Sequence, residues 1–101
     1  MNGSQQQIGT LEQLETYFDE FSSRYSTIIN ARTNAYSWSG SDKSIANDVN
    51  KELIKIDGLC GSLPENKKRN DYGLYRSTLR SRILAARQQM EATLQAADRG
   101  H

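Results

Sequence analysis

The apolar positions of this chain repeat at helical spacing in three successive blocks. In the first, Leu11, Leu14, Phe18, Phe21, Tyr25 and Ile28 follow one another at alternating steps of three and four. That is a heptad seam; a strand, whose side chains change face at every residue, does not produce it. Thr10 stands where an N-cap belongs, and Gln13, three residues on, completes a capping box. Glu12, Glu15, Asp19 and Glu20 crowd the first turns, the end where a helix dipole favours negative charge. The pattern predicts helix 1 over about 10–36, with Asn30, Thr33, Asn34 and Ser37 weakening its end.

The second block is Ile45, Val49, Leu53, Ile56, Leu59 and Leu63, preceded by the loop SWSGSD, in which Ser41 or Asp42 can act as the cap. Pro64 disfavours helical geometry at Leu63, so helix 2 is predicted over about 42–63. Gly58 and Gly61 each cost that helix about 1 kcal/mol relative to Ala. They loosen its last turns or admit a neighbouring backbone. The third block is the longest. Tyr72, Leu79, Ile83, Ala86, Met90 and Ala97 share one face, with Tyr75 and Leu94 filling the spacing. Asn70 or Asp71 caps it and Gly100 ends it, giving helix 3 over about 70–98.

Between helices 2 and 3 lies the polar, basic loop PENKKRN, and the opening MNGSQQQIG reads as a disordered leader over residues 1–9. No run alternates like a strand. Three helices joined by short loops make antiparallel neighbours. The expected fold is all-α, an antiparallel up-down-up three-helix bundle occupying residues 10–98.

Composition narrows the chemistry. Only 36% of the residues are hydrophobic, which suits an elongated bundle with a thin core better than a compact enzyme. A single cysteine, Cys60, excludes an internal disulfide and points to a reduced setting. The single histidine is His101, so there is neither a nucleophile–histidine pair nor a zinc ligand set. Gly58, Gly61 and Gly73 do not match a phosphate-cradling loop. The expectation is a non-enzymatic domain without a cofactor or metal, with Cys60 as a small apolar core residue. No apolar run reaches membrane-spanning length and no signal-peptide core opens the chain, so it reads as a soluble domain of something longer.

Net charge is +1, but its distribution is uneven. Residues 1–64 carry eight acids against five bases, and residues 65–87 carry seven bases against two acids. Arg69, Arg76, Arg80 and Arg87 form a stripe beside the apolar face of helix 3. Three roles are open to it. It can meet the acids of helix 1 (Glu12, Glu15, Asp19) or helix 2 (Asp48, Glu52) inside the bundle. It can present a surface to a protein partner. It can bind nucleic acid or anionic lipid, although such binders carry more surplus charge interleaved with aromatics, and the expectation is no nucleic acid.

Two resemblances bear on function. Trp38-Ser39-Gly40 resembles the Trp-x-Gly signature of small secreted helical proteins of bacterial export systems, which form a two-helix hairpin. Pro64 and the long third helix depart from that hairpin, and the plain reading of Trp38 is packing over the open end of a bundle. The stretch from Ser44 to Leu94 is similar to the N-terminal regulatory (Habc-like) domain of SNARE proteins. The match is best to the Golgi and early-secretory Qb group that includes membrin. It rests on VNKELIKIDGLCGSL, the proline-bearing loop PENKKRNDYG, and LYRSTLRSRILAARQQMEATL. Helix 1 agrees only as a generic amphipathic helix, and Trp38 has no counterpart in the resemblance. It implies an independent antiparallel three-helix bundle on the cytosolic face of Golgi, ER or endosomal membranes. The implied partners are its own SNARE motif, tethers, Sec1-type regulators or coat adaptors. Contact with the membrane would come only through a segment beyond this chain. Arg69, Arg76, Arg80 and Arg87 are the candidate partner-binding residues.

Overall fold

A computed structural model describes residues 7–65 and 73–100. Among the described residues the structure is helical throughout, with no strand. Five helical elements follow in order: α1 (Leu11–Arg24), α2 (Ser26–Ile29), a 3-10 segment (Arg32–Ser37), α3 (Gly40–Ser62) and α4 (Leu74–Arg99). The expected continuous helix 1 is therefore corrected to three pieces.

The caps account for the boundaries. Thr10 accepts from the Gln13 backbone and Gln13 Oε1 accepts from the Thr10 N–H at 3.2 Å, the reciprocal box that the sequence predicts. The start of α3 is moved from the predicted position. Ser39, not Ser41 or Asp42, is its N-cap, and Asp42 supplies the third-position carboxylate, accepting from the Ser39 N–H at 3.1 Å. Leu63 is extended (φ −76°, ψ 146°), as a residue before proline should be, and α3 stops at Ser62. Gly73 precedes α4 at φ 88°, a left-handed conformation that glycine adopts without steric cost. Gly73 is the N-cap and α4 starts at Leu74, so the predicted start at about 70 with Asn70 or Asp71 as the cap is corrected. Asn70, Asp71 and the core position Tyr72 themselves lie outside the described residues.

Long-range hydrogen bonds fix the directions of the elements. The Leu11 N–H donates to the Pro64 carbonyl at 2.9 Å, joining the start of α1 to the end of α3. The Tyr17 hydroxyl donates to Glu52 at 2.6 Å. Tyr75 reaches Glu15 at 2.7 Å near the starts of α4 and α1, and Thr93 reaches the Ile29 carbonyl at 2.8 Å near their far ends. So α1 and α4 run the same way and α3 runs against both, within 49 × 28 × 18 Å.

The main core takes Leu11, Leu14 and Phe18 from α1, Val49, Leu53, Ile56 and Cys60 from α3, and Leu79, Ile83 and Met90 from α4. In α3 the buried stripe is rotated from the predicted seam. Ala46 replaces Ile45, which is 46% exposed, and Cys60 replaces Leu59. The small Ala46 and Cys60 side chains allow close packing where the bulkier neighbours would hold the helices apart. A second, smaller cluster of Ala35, Ala96 and Ala97 joins the 3-10 segment to the end of α4, and Trp38 packs against both clusters.

Candidate functional site

The surface singled out by charge lies on α4, and the structure resolves it into two shoulders flanking the buried face. One shoulder is the column Tyr75, Arg82, Gln89 and Ala96, residues seven apart and therefore nearly in line on a helix. It faces the first arm of the chain. Tyr75 donates to Glu15. Arg82 donates to Glu15 at 3.1 Å and to Asp19, and its guanidinium lies 5.6 Å from the Phe18 ring centroid. Gln89 accepts from Arg32 Nε at 2.9 Å, and Ala96 packs on Ala35.

The other shoulder carries the arginine stripe and faces α3. Arg76 Nη1 donates to the Cys60 and Leu63 carbonyls, each at 2.8 Å. These carbonyls stand at the end of α3, where no further turn supplies N–H donors. Arg87 Nη1 donates to Asp57 Oδ2 at 2.5 Å, and Arg80 Nε lies 3.4 Å from Asp57 Oδ1. The Arg80 separation is an ion pair and too long for a good hydrogen bond, leaving Oδ1 without one. Arg69 lies outside the described residues.

The structure therefore brings Arg76, Arg80 and Arg87 together along one α3–α4 seam. The carboxylate partner of Arg80 and Arg87 is Asp57, not the expected Asp48 or Glu52, while Arg76 meets backbone carbonyls. The acids Glu15 and Asp19 of helix 1 are met by Arg82, which stands outside the expected stripe. Of the three described stripe residues, Arg80 keeps most of its side chain in solvent, at 57% exposure, against 33% for Arg87. Two signals in the sequence point to the missed residues. Asp57 is four residues after Leu53, on the buried stripe, and an acid in that position demands a cation across the interface. Thr93 fills the step between Met90 and Ala97 in a seam that otherwise runs four, three, four from Leu79. A hydroxyl there demands a buried partner.

Burial sets the chemistry of two further groups. It pushes the Cys60 thiol up from its ordinary value, with Asp57 adding to the shift while Arg76 and Arg80 oppose it. The thiolate is thus disfavoured, and Sγ sits 3.8 Å from the Arg76 carbonyl. Burial first, then the hydrogen bond to Glu52 and its charge, raises the Tyr17 phenol. Among the described residues no cluster of His, Cys, Asp and Glu could hold a metal ion. No described helix is long and apolar enough to cross a membrane. Among the described residues, large apolar side chains at the surface are Tyr36, Ile45, Ile54 and Leu74. No protein-family model, curated protein or solved structure matches the chain.

Proposed function

We propose that the chain is a non-enzymatic protein-interaction domain of the SNARE N-terminal type, acting in vesicle trafficking on the cytosolic face of Golgi, ER or endosomal membranes. The observation that supports this reading is the order of the elements. α1, α2 and the 3-10 segment form one broken arm, α3 returns, and α4 runs parallel to the first arm. Taken as three arms, this order is compatible with the up-down-up bundle expected of that domain class. Its mechanism is to present helical surface. A partner helix, from a SNARE motif, tether, Sec1-type regulator or coat adaptor, lies along exposed apolar positions while nearby charge sets its register.

The arginines divide between two duties. Arg76 and Arg87 hold α3 to α4, and of the described stripe residues Arg80, mostly in solvent, is the one left to meet an acidic partner group. The test is a titration of the isotope-labelled chain with purified SNARE-motif helices and Sec1-type proteins. Saturable chemical-shift changes that weaken in Arg80→Glu, with an unchanged melting curve, support the reading. Absence of binding to every such protein rejects it. Arg76→Glu and Arg87→Glu are expected to lower the melting temperature as well, because each reverses a charge in an occupied contact.

A further inference from the structure

The break in the first arm is held from outside. Residues 24–37 contain neither glycine nor proline, and the α1 seam continues in register through Arg32 and Ala35 at steps of four and three. Local sequence therefore permits a straight helix. The chain instead turns at Tyr25 (φ −107°, ψ 20°), again at Asn30 (φ −103°, ψ 16°), and passes through a left-handed Arg32 at φ 49°. That conformation is sterically unfavourable for a residue with a Cβ.

The compensation comes from α4. The Thr93 hydroxyl is fully buried, accepts from the Arg32 N–H at 2.9 Å and donates to the Ile29 carbonyl at 2.8 Å. One side chain thus satisfies a donor and an acceptor that the bend takes out of the helical ladder. Beyond it, Ala35 is the buried residue of the 3-10 segment, set against Ala96 and Ala97. Gly100 lies so close to Tyr36 that a Cβ there would stand 2.6 Å from the Tyr36 Cα and run into its carbonyl oxygen. Ile29 also enters the main core, and beyond it the attachment is made by a threonine, alanines, a glycine and the Arg32–Gln89 hydrogen bond.

We infer that residues 25–37 form a latch with two states: a bent state clasped by Thr93, and a released state in which the segment joins α1 as one continuous helix. Release bares the small-residue face of Thr93, Ala96, Ala97 and Gly100 on α4 and changes the surroundings of Trp38. The inference does not rest on the proposed trafficking role.

Native-state hydrogen exchange in low urea tests it, with the fluorescence of Trp38, the single tryptophan, as a second readout. In the wild-type chain the Arg32 and Trp38 amides are expected to exchange at least about tenfold faster than those of Leu53 and Ile83, with a weaker urea dependence. Thr93→Val speeds this opening by at least roughly another tenfold, because it removes both hydrogen bonds of the Thr93 hydroxyl, and shifts the Cα resonances of residues 25–37 toward continuous helix. Arg32→Gly, which relieves the left-handed residue, slows the same opening. Exchange of Arg32 and Trp38 only by global unfolding overturns the inference. So does a Thr93→Val chain that unfolds as a whole, because the latch would then be part of the main core. Released residues with disordered Cα shifts overturn it as well.

Discussion

Asp57 is the residue on which the α3–α4 contact turns. Its side chain is 9% exposed and faces two guanidiniums, those of Arg87 and Arg80. Asp57→Asn leaves Arg87 opposite a neutral amide. The expected loss is about 2 kcal/mol, below the range for a fully buried pair because Arg87 is one-third exposed. Urea unfolding measures it, and a double-mutant cycle with Arg87→Met isolates the pair. Tyr17 supplies an alkaline signature. Its folded pKa lies above the unfolded value near 10, so its contribution is complete below that value and is lost as pH rises past it. Stability should decline from about pH 10 upward, and Tyr17→Phe should flatten that part of the curve. Cys60, raised chiefly by burial, follows the same sign and adds a loss beginning at about pH 8.5. Urea midpoints between neutral and strongly alkaline pH separate the two, since Tyr17→Phe leaves the earlier slope in place.

Each helical element shows a different balance between local preference and packing. α3 carries Gly58 and Gly61 on its exposed side, where a Cβ would meet nothing within 4 Å. Among the described residues no backbone approaches them, so the close-approach role anticipated from sequence finds no partner there. The helix continues through both to Ser62. Gly58→Ala and Gly61→Ala should each stabilise the fold by about 1 kcal/mol, read as a higher urea midpoint with an unchanged slope. α1 was legible from Thr10 onward because its cap and seam are local. Its end was not, because the left-handed Arg32 and the bends at Tyr25 and Asn30 answer to Thr93, more than sixty residues away. In α3 the seam was legible to within one residue. Choosing Ala46 over Ile45 required knowing how closely α4 approaches.

At the scale of the molecule, opposite charges are consumed between arms. Acids of α1 meet Arg82, and Asp57 of α3 meets Arg80 and Arg87. Among the described residues, part of the uneven charge along the chain is therefore an internal complement; Lys67, Lys68 and Arg69 lie outside them. Nucleic-acid binding, if measured by fluorescence anisotropy, should be weak at low salt and gone at about 0.15 M. Affinity that persists there would require a basic surface beyond the two shoulders described. The exposed Arg80 leaves a narrower electrostatic contact, suited to one acidic group on a helix.

The sequence by itself determined the all-helical class, the first cap, the stop at Pro64 and most of the buried positions of α4. These follow from caps, proline geometry and a 3.6-residue period, all settled within a few residues of one another. Tertiary structure decided which arginines face which acids. A helix period places a charge on a shoulder but does not say what stands opposite. It also decided the bend of the first arm, where a threonine hydroxyl supplied by α4 replaces bonds that a straight helix would have made for itself.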